Sequence, residues 1–492
     1  MDGYHEPQDI DPELSKGALK LRKRKLDTLP WSHSGKHPGN RLFWQILLIM
    51  FRTSWKYMFR RKYVDNIPKY DGGRILSSIH INGLVDPVVI ISTQERRVIS
   101  MGRHDIMTMP LIGWFARRMG SQPVIRKAEI KRGVTNPEYA TKINHRTLLT
   151  MSNCISSGYN AIVMPEGKSH QDTKLHKFKT GIMRFAINSA AISNQKNLPL
   201  PALQPVGLHY RCHHKFRTDL FVEYIEPIIV DSTLDDYSSK QLIEGKWIEP
   251  PKDDVIRLRN KLFEELQPIT PDASDWETYR TFHLIGHILA NKKNKPLQTY
   301  KDEVLAAREI REKIRKNSNT ERLIGPIKQA SNILEEHNLD GRSLTKDGIK
   351  EENSSISGII GLILMILSSP ISIPSSGIQA FLALYFGDRT DEGIDARTTY
   401  HMMAAIFSPI IFWPPLAFIF VYNIVGFSPL IIIYTLLLIT SFHVSNLIFL
   451  LGYDLWNDFL FTRRTRKLAN SDQGNVLLSL ISKASPSLDV LK

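Results

Sequence analysis

Residues 74–92 read RILSSIHINGLVDPVVIIS, and the fold turns on how this stretch is parsed. Positions 74–79 form a short apolar run, positions 87–92 a second one rich in β-branched residues, and a Gly- and Pro-containing interval separates them. Runs of the same kind recur at 122–126, 161–164, 202–207 and 219–225, with longer helical patterns at 105–119, 142–157 and 179–193. Alternation of short strands with longer helices predicts an α/β domain over residues 63–230, a sheet covered by helices.

The flanks on either side are of different character. Residues 1–40 are polar and carry the basic cluster Lys20-Leu21-Arg22-Lys23-Arg24-Lys25, read as a flexible tail able to touch anionic lipid. They lack the apolar core of a secretory signal. Residues 42–59, LFWQILLIMFRTSWKYMF, belong to an expected helix at 41–62. Its apolar run before Arg52 falls well short of the ~20 residues a crossing requires. Trp44, Trp55 and Tyr57 suit the headgroup zone, so an interfacial helix is expected, with a core helix of the soluble domain as the alternative.

Beyond the α/β region, residues 231–353 are strongly charged with helical periodicity in places, and are expected to form a helical appendage. Residues 354–386 contain no charged side chain, but Pro370 and Pro374 interrupt them. Two full crossings need ~40 residues, so this stretch is read as a re-entrant hairpin or one kinked span. Residues 399–453 lack Asp, Glu, Lys and Arg and divide at Asn423–Pro429 into spans of 402–422 and 429–451. The membrane hairpins are therefore placed at 354–458, followed by a basic cytoplasmic tail at 459–492 with Arg463, Arg464, Arg466 and Lys467. Positive charge beside a span marks the cytoplasmic side, which puts the α/β domain on that side too. The expectation is an integral membrane protein, in the endoplasmic reticulum membrane if the source is eukaryotic.

Composition narrows the partners. The 492 residues exceed one compact core. Lys and Arg number 64 against 49 Asp and Glu, a net charge of +15, which fits a phosphate-rich partner. The long charge-free stretches favour membrane lipid, and no nucleic-acid partner is expected. Cys154 and Cys212 are the only cysteines, too few for a disulfide framework or a metal-binding spacing.

Four blocks at strand ends carry the chemistry. In Ser77-Ser78-Ile79-His80-Ile81-Asn82-Gly83-Leu84-Val85-Asp86-Pro87, a histidine follows a strand and a carboxylate lies six positions on. A free hydroxyl is a poor nucleophile, and a histidine oriented by a carboxylate is the usual base for activating it. Six residues on one regular helix turn through about 600°, which would part the pair, so His80 must sit in a loop before any helix. The second block runs from Gly113 through Gly120 to Arg126, a cation at a strand end suited to a phosphate. The third is Met164-Pro165-Glu166-Gly167-Lys168-Ser169-His170 and the fourth Gln204-Pro205-Val206-Gly207. His104, His145, His213, His214 and Cys154 have no such context and read as structural or surface residues.

Together these blocks resemble the superfamily of glycerol-3-phosphate and lysophosphatidate acyltransferases, to which tafazzin also belongs. The likeness covers about residues 70–230 and is strongest to the fungal-type glycerol-3-phosphate and dihydroxyacetone-phosphate acyltransferases. It rests on His80-Ile81-Asn82 with Asp86-Pro87, on Pro165-Glu166-Gly167-Lys168-Ser169-His170, and on Gly207-Leu208-His209-Tyr210 followed by His214-Lys215-Phe216-Arg217. The His-to-Asp gap is one residue longer than in most of the superfamily. Met164 replaces an aromatic residue, and Lys168-Ser169 stands where Thr-Arg is common.

The resemblance implies an α/β acyltransferase domain with a helical appendage and a C-terminal α-helical membrane region. It implies an O-acyltransferase that uses acyl-CoA as co-substrate and acylates glycerol-3-phosphate or dihydroxyacetone phosphate, with no metal or redox cofactor. His80 would be the base and Asp86 its orienting acid. Arg126, Lys168 and Lys179 would hold the phosphate and Glu166 would position the acceptor, with Gly167, Ser169, His170, Lys215 and Arg217 completing the binding site. The alternatives are a lysophosphatidate or other lysophospholipid acyltransferase, and a non-catalytic membrane scaffold on the same fold.

Overall fold

The computed structural model describes Leu14 and residues 17–316, 320–351, 355–389 and 397–488. An eight-stranded mixed sheet forms its centre, in the order β1-β7-β6-β2-β5-β3-β4 with β8 on β6. The strands are β1 (Phe59–Val64), β2 (Arg74–Ser77), β3 (Val98–Arg103), β4 (Gln122–Val124), β5 (Asn160–Ile162), β6 (Ala202–Tyr210), β7 (Thr218–Tyr224) and β8 (Ile228–Ile229). Strands β4, β3, β5, β2 and β6 run parallel, while β7 runs antiparallel to β6. Every residue of β2, β6 and β7 is buried, which is why their sequences are apolar without alternation. The carboxyl ends of five parallel strands thus share one edge, where open parallel sheets place their ligands.

The run at 87–92 is not a strand. It belongs to helix α3 (Val85–Thr93), which follows α1 (Lys23–Asp27) and α2 (Arg41–Met58). Pro87 lies in the first turn, where a missing N–H removes no helical bond, and the Val85 and Asp86 amides donate to the Asn82 carbonyl. Val85 and Val88–Ile91 are all at most 5% exposed, so α3 has no polar stripe and shows no helical period. The strand beside β5 is β3, at 98–103. The pattern at 105–119 breaks at Met109–Pro110, leaving α4 (Leu111–Met119), and α5 (Pro137–Ser156) and α6 (Gly181–Gln195) complete the helical cover. The expected helix at 41–62 stops at Met58, because Phe59–Val64 pairs with β7 as a charged edge strand. Helix α2 buries Trp44, Leu47, Met50 and Phe51 and leaves Leu42, Ile46 and Ile49 outward.

The basic segment before α2 is packed rather than free from residue 17 onward. Leu26 is fully buried, Arg146 lies over the Trp31 ring, and Arg22 donates to the Thr108 carbonyl. Apolar residues interleaved with the cations provide that anchor. Residues 1–13, 15 and 16 of the expected tail lie outside the described residues.

The appendage has its own core, built from α7 (Trp276–Lys292), α8 (Tyr300–Arg315) and α9 (Thr320–Glu336). Leu468, Leu477 and Leu488 join it, so most of the expected cytoplasmic tail at 459–492 is folded into this core. The appendage docks on the sheet through Arg308 to Glu223 and Arg211 to Glu303. Burial alone would raise both carboxyls, but hydrogen bonds from Arg308 and His209 hold Glu223 at about 2, and those from His287 and Arg211 hold Glu303 at about 2. Burial pushes His283 down to about 3. All three groups bind protons more readily when unfolded, so their stabilisation is present at neutral pH. It falls as pH drops below 6.5 for His283 and below 4.5 for the two carboxylates. Protection factors across 276–316, corrected for the intrinsic exchange rate at each pH, are accordingly expected to fall from pH 7 to 5 and steeply below 4.5. Equal protection at pH 7 and 3.5 would contradict these ion pairs.

Among the described residues, three helical segments are long and apolar enough to cross a membrane: Ser355–Gly387, Arg397–Val425 and Ile431–Ala469. The first joins α10 (Ser355–Ser372) to α11 (Ile378–Gly387) through a wider turn at Ile373–Gly377, beside Pro370 and Pro374. Side chains satisfy the carbonyls around this break. Ser372 and Ser445 donate to the Ser368 carbonyl, and the Trp413 indole donates to that of Ser375. Both ends of the segment lie against helices that contact the α/β domain. Gly358 packs on Phe459, next to Asp458, which pairs with Arg60. Gly387 packs on Arg397, next to Thr398, which reaches Asn82. The other segments comprise α12 (Arg397–Phe407), α13 (Trp413–Val425) and α14 (Ile431–Ala469). Gly361 and Gly452 bring α10 and α14 together; a Cβ on Gly361 would lie 2.7 Å from the Gly452 carbonyl oxygen.

Candidate active site

His80 leaves the sheet three residues after β2, in the loop that closes at α3. Its Nδ1 lies 3.0 Å from Asp86 Oδ2. The same oxygen accepts the Asn82 amide at 2.8 Å, and Oδ1 accepts the Tyr210 hydroxyl at 2.8 Å. Asp86 is fully buried, and these three donors compensate its charge. An ionised carboxylate only accepts, so Nδ1 carries the proton and Nε2 keeps its lone pair. The His80 side chain is 18% exposed, so that lone pair has access to a substrate. Burial and then the Asp86 charge push the Tyr210 hydroxyl well above its ordinary value, which keeps it a donor.

Both carboxylate oxygens of Glu166, expected to position the acceptor, are engaged within the protein. Its Oε2 accepts the His80 amide at 3.1 Å, and its Oε1 accepts His170 Nε2 at 2.8 Å and the His176 amide at 2.7 Å. The His170 amide donates back to the His80 carbonyl at 3.0 Å. At 1% exposure with both oxygens engaged, Glu166 ties the loop after β5 to the loop after β2. His170 is buried in the same network. Gly167 adopts φ +76°, a left-handed conformation that favours glycine, and the Lys179 side chain lies against it. Lys168 and Ser169 are half-buried and Lys179 is exposed. His170, Asp172 and His176 bring potential ligand atoms within 4.8 Å of one another. His170 already uses Nε2 on Glu166 and Nδ1 on the Asp172 amide, so the cluster is a closed hydrogen-bonded group.

Arg126 follows β4, on the same edge as His80. It pairs with Glu129 at 2.8 Å and its side chain is 16% exposed. Three strand spacings separate β4 from β2, about 14 Å. Lys215 is away from the pair, with Nζ 3.4 Å from Asn338 Oδ1 in the appendage. Arg217, expected in the binding site, is engaged within the protein. It is held by Asp454 of α14 and by the carbonyls of Lys56, Tyr57 and Phe59, and fastens the membrane helices to the domain. Sequence reading gave no role to Tyr210 or Asn82. Both lie inside quoted blocks, but their contacts with Asp86 and His213 arise only in the folded chain.

Residues 60–203 match the family model described as Acyltransferase, a segment that contains His80, Asp86, Arg126 and Glu166. The chain is 29% identical over 151 residues to glycerol-3-phosphate O-acyltransferase 2 of Saccharomyces cerevisiae, covering 30% of this chain and 19% of that protein. It is 29% identical over 174 residues to glycerol-3-phosphate O-acyltransferase 1 of the same yeast, covering 33% and 21%. The match thus spans about a fifth of each relative's length. A solved structure, the 1-acyl-sn-glycerophosphate acyltransferase of Thermotoga maritima, aligns with 45% of this chain and 76% of that one, at 15% identity and a TM-score of 0.31.

Proposed function

With an acyltransferase domain at residues 60–203 as premise, we propose that the chain transfers a fatty acyl group from acyl-CoA to a hydroxyl of glycerol-3-phosphate, with dihydroxyacetone phosphate as a second acceptor. The observation that carries this reading is the His80–Asp86 pair at the sheet's carboxyl edge, with Nε2 left free. In the proposed step Nε2 removes the proton of the acceptor hydroxyl as its oxygen attacks the thioester carbonyl. The tetrahedral intermediate then expels the CoA thiolate, which takes the proton back from the imidazolium. Asp86 stabilises the imidazolium that forms between these events. No metal or redox cofactor enters this step.

The phosphate would be gripped by Arg126, Lys168 and Lys179. A small dianionic acceptor offers little apolar surface, so cations must supply its affinity. The cation-rich stretch at 463–467 supports placing the domain on the cytoplasmic face, with the segment 355–387 inserted from that side. In a eukaryotic source this corresponds to the endoplasmic reticulum.

The acceptor is tested with protein purified into nanodiscs and labelled acyl-CoA, offered glycerol-3-phosphate, dihydroxyacetone phosphate or lysophosphatidate. Glycerol-3-phosphate is expected to give the highest kcat/KM. Acylation of lysophosphatidate alone would overturn the acceptor assignment but keep the reaction class. Transfer to none of the three would overturn the reaction class as well.

A further inference from the structure

The segment Arg397–Val425 is apolar enough to cross a membrane, yet its first turn forms part of the active-site wall. Thr398 is 2% exposed and donates from Oγ1 to Asn82 Oδ1. Thr399 Oγ1 accepts the Leu84 amide at 3.1 Å. One turn on, His401 stacks on Phe216, and Met402 and Ile406 are buried in the core of the α/β domain. The beginning of α12 is therefore as much a part of the catalytic domain as of the membrane region.

Asn82 is the point where that contact meets the catalytic pair. Its amide donates to Asp86 Oδ2 at 2.8 Å, its Nδ2 donates to the His213 carbonyl at 2.7 Å, and its carbonyl receives the Val85 and Asp86 amides. The residue is 2% exposed, so the orientation of its side-chain amide depends on these partners. Among the described residues, Thr398 supplies the donor to Oδ1. Without it a buried carbonyl oxygen loses its partner and the amide is free to turn.

Resting on the acyl-transfer reading above, we propose that Thr398 is a positioning residue for the His80–Asp86 pair, acting through Asn82. The membrane segment holds Asn82, and Asn82 holds Asp86 and the loop that presents His80. The base is then correctly set only when α12 is seated, which couples membrane insertion to activity. Thr398 lies 316 positions from Asn82.

Thr398→Val keeps the shape and removes the hydroxyl. It is expected to lower kcat about 10-fold with the KM values for donor and acceptor within twofold of wild type, whereas Thr398→Ser retains at least half of kcat. A double-mutant cycle separates positioning from general loosening. Asn82→Ala combined with Thr398→Val should be no slower than Asn82→Ala alone. Hydrogen exchange across 80–84 should rise in Thr398→Val while that of β6 is unchanged, a readout that needs no turnover. If Thr398→Val does not accumulate in membranes, Thr398→Ala is read by the same measurements. Wild-type kcat in the valine or alanine variant, multiplicative losses in the double variant, or unchanged exchange across 80–84 would each overturn the proposal. His80→Ala run in parallel tells the two readings apart. If that variant turns over normally, the acyl-transfer reading fails; if it is inactive while Thr398→Val keeps the wild-type kcat, only the present inference fails.

Discussion

His80→Ala is expected to lower kcat by ~10²–10⁴-fold, the range that general-base catalysis contributes, while the protein still inserts in membranes. The side chain is on a loop and 18% exposed, so its removal opens no core cavity. Its backbone bonds to Glu166 and His170 are untouched by the substitution. Asp86→Asn is expected to be impaired to a comparable degree for a further reason. Three donors, from His80, Asn82 and Tyr210, converge on Asp86, and the substitution brings an amide N–H into a pocket that holds donors only. Steady-state rates on matched membrane preparations check both. Activity within a few-fold of wild type in His80→Ala would remove His80 from the mechanism.

Arg126→Ala is expected to raise the KM for glycerol-3-phosphate while leaving that for acyl-CoA nearly unchanged. Charge-assisted contacts to phosphate are worth roughly 1.5–3 kcal/mol, which corresponds to ~10–100-fold. Arg126 is paired with Glu129 in the free protein, which lowers its share of that figure toward the smaller end. Lys168→Ala should act in the same direction. If neither variant moves the acceptor KM, the phosphate is held elsewhere. Lys179 is then the next cation to test, because Arg217 is fixed on Asp454 and Lys215 lies beside the appendage.

The contact between His80 and Asp86 was legible in the sequence because it is local. His80 and Asp86 lie six positions apart, and helical geometry requires the base to precede the helix, where it is found. The sheet was legible wherever β-branched runs end at turn residues, as at 74–77, 202–210 and 218–224. It failed at 87–92, because a helix buried on all sides and a central parallel strand both read as continuous apolar runs. It failed at Phe59–Val64, where Arg60, Arg61 and Lys62 sit on an edge strand that tolerates charge. Glu166 was read as facing substrate, since nothing local reveals that both its oxygens meet loop amides and His170. Arg217 was read as a binding residue, since its partner, Asp454, lies 237 positions away at the end of an apolar stretch. Tyr210 donates to Asp86 across 124 positions, a contact that no local spacing encodes.

The central claim is transfer to an acceptor hydroxyl by a histidine-activated attack. It is tested most directly by following free CoA release and acylated product together, with labelled acyl-CoA, in the presence and absence of glycerol-3-phosphate. The account predicts that CoA is released in equal amount to acylated glycerol-3-phosphate, and that release without acceptor is slower by at least an order of magnitude. CoA release at the same rate with or without acceptor, and no labelled glycerol-3-phosphate ester, would contradict it.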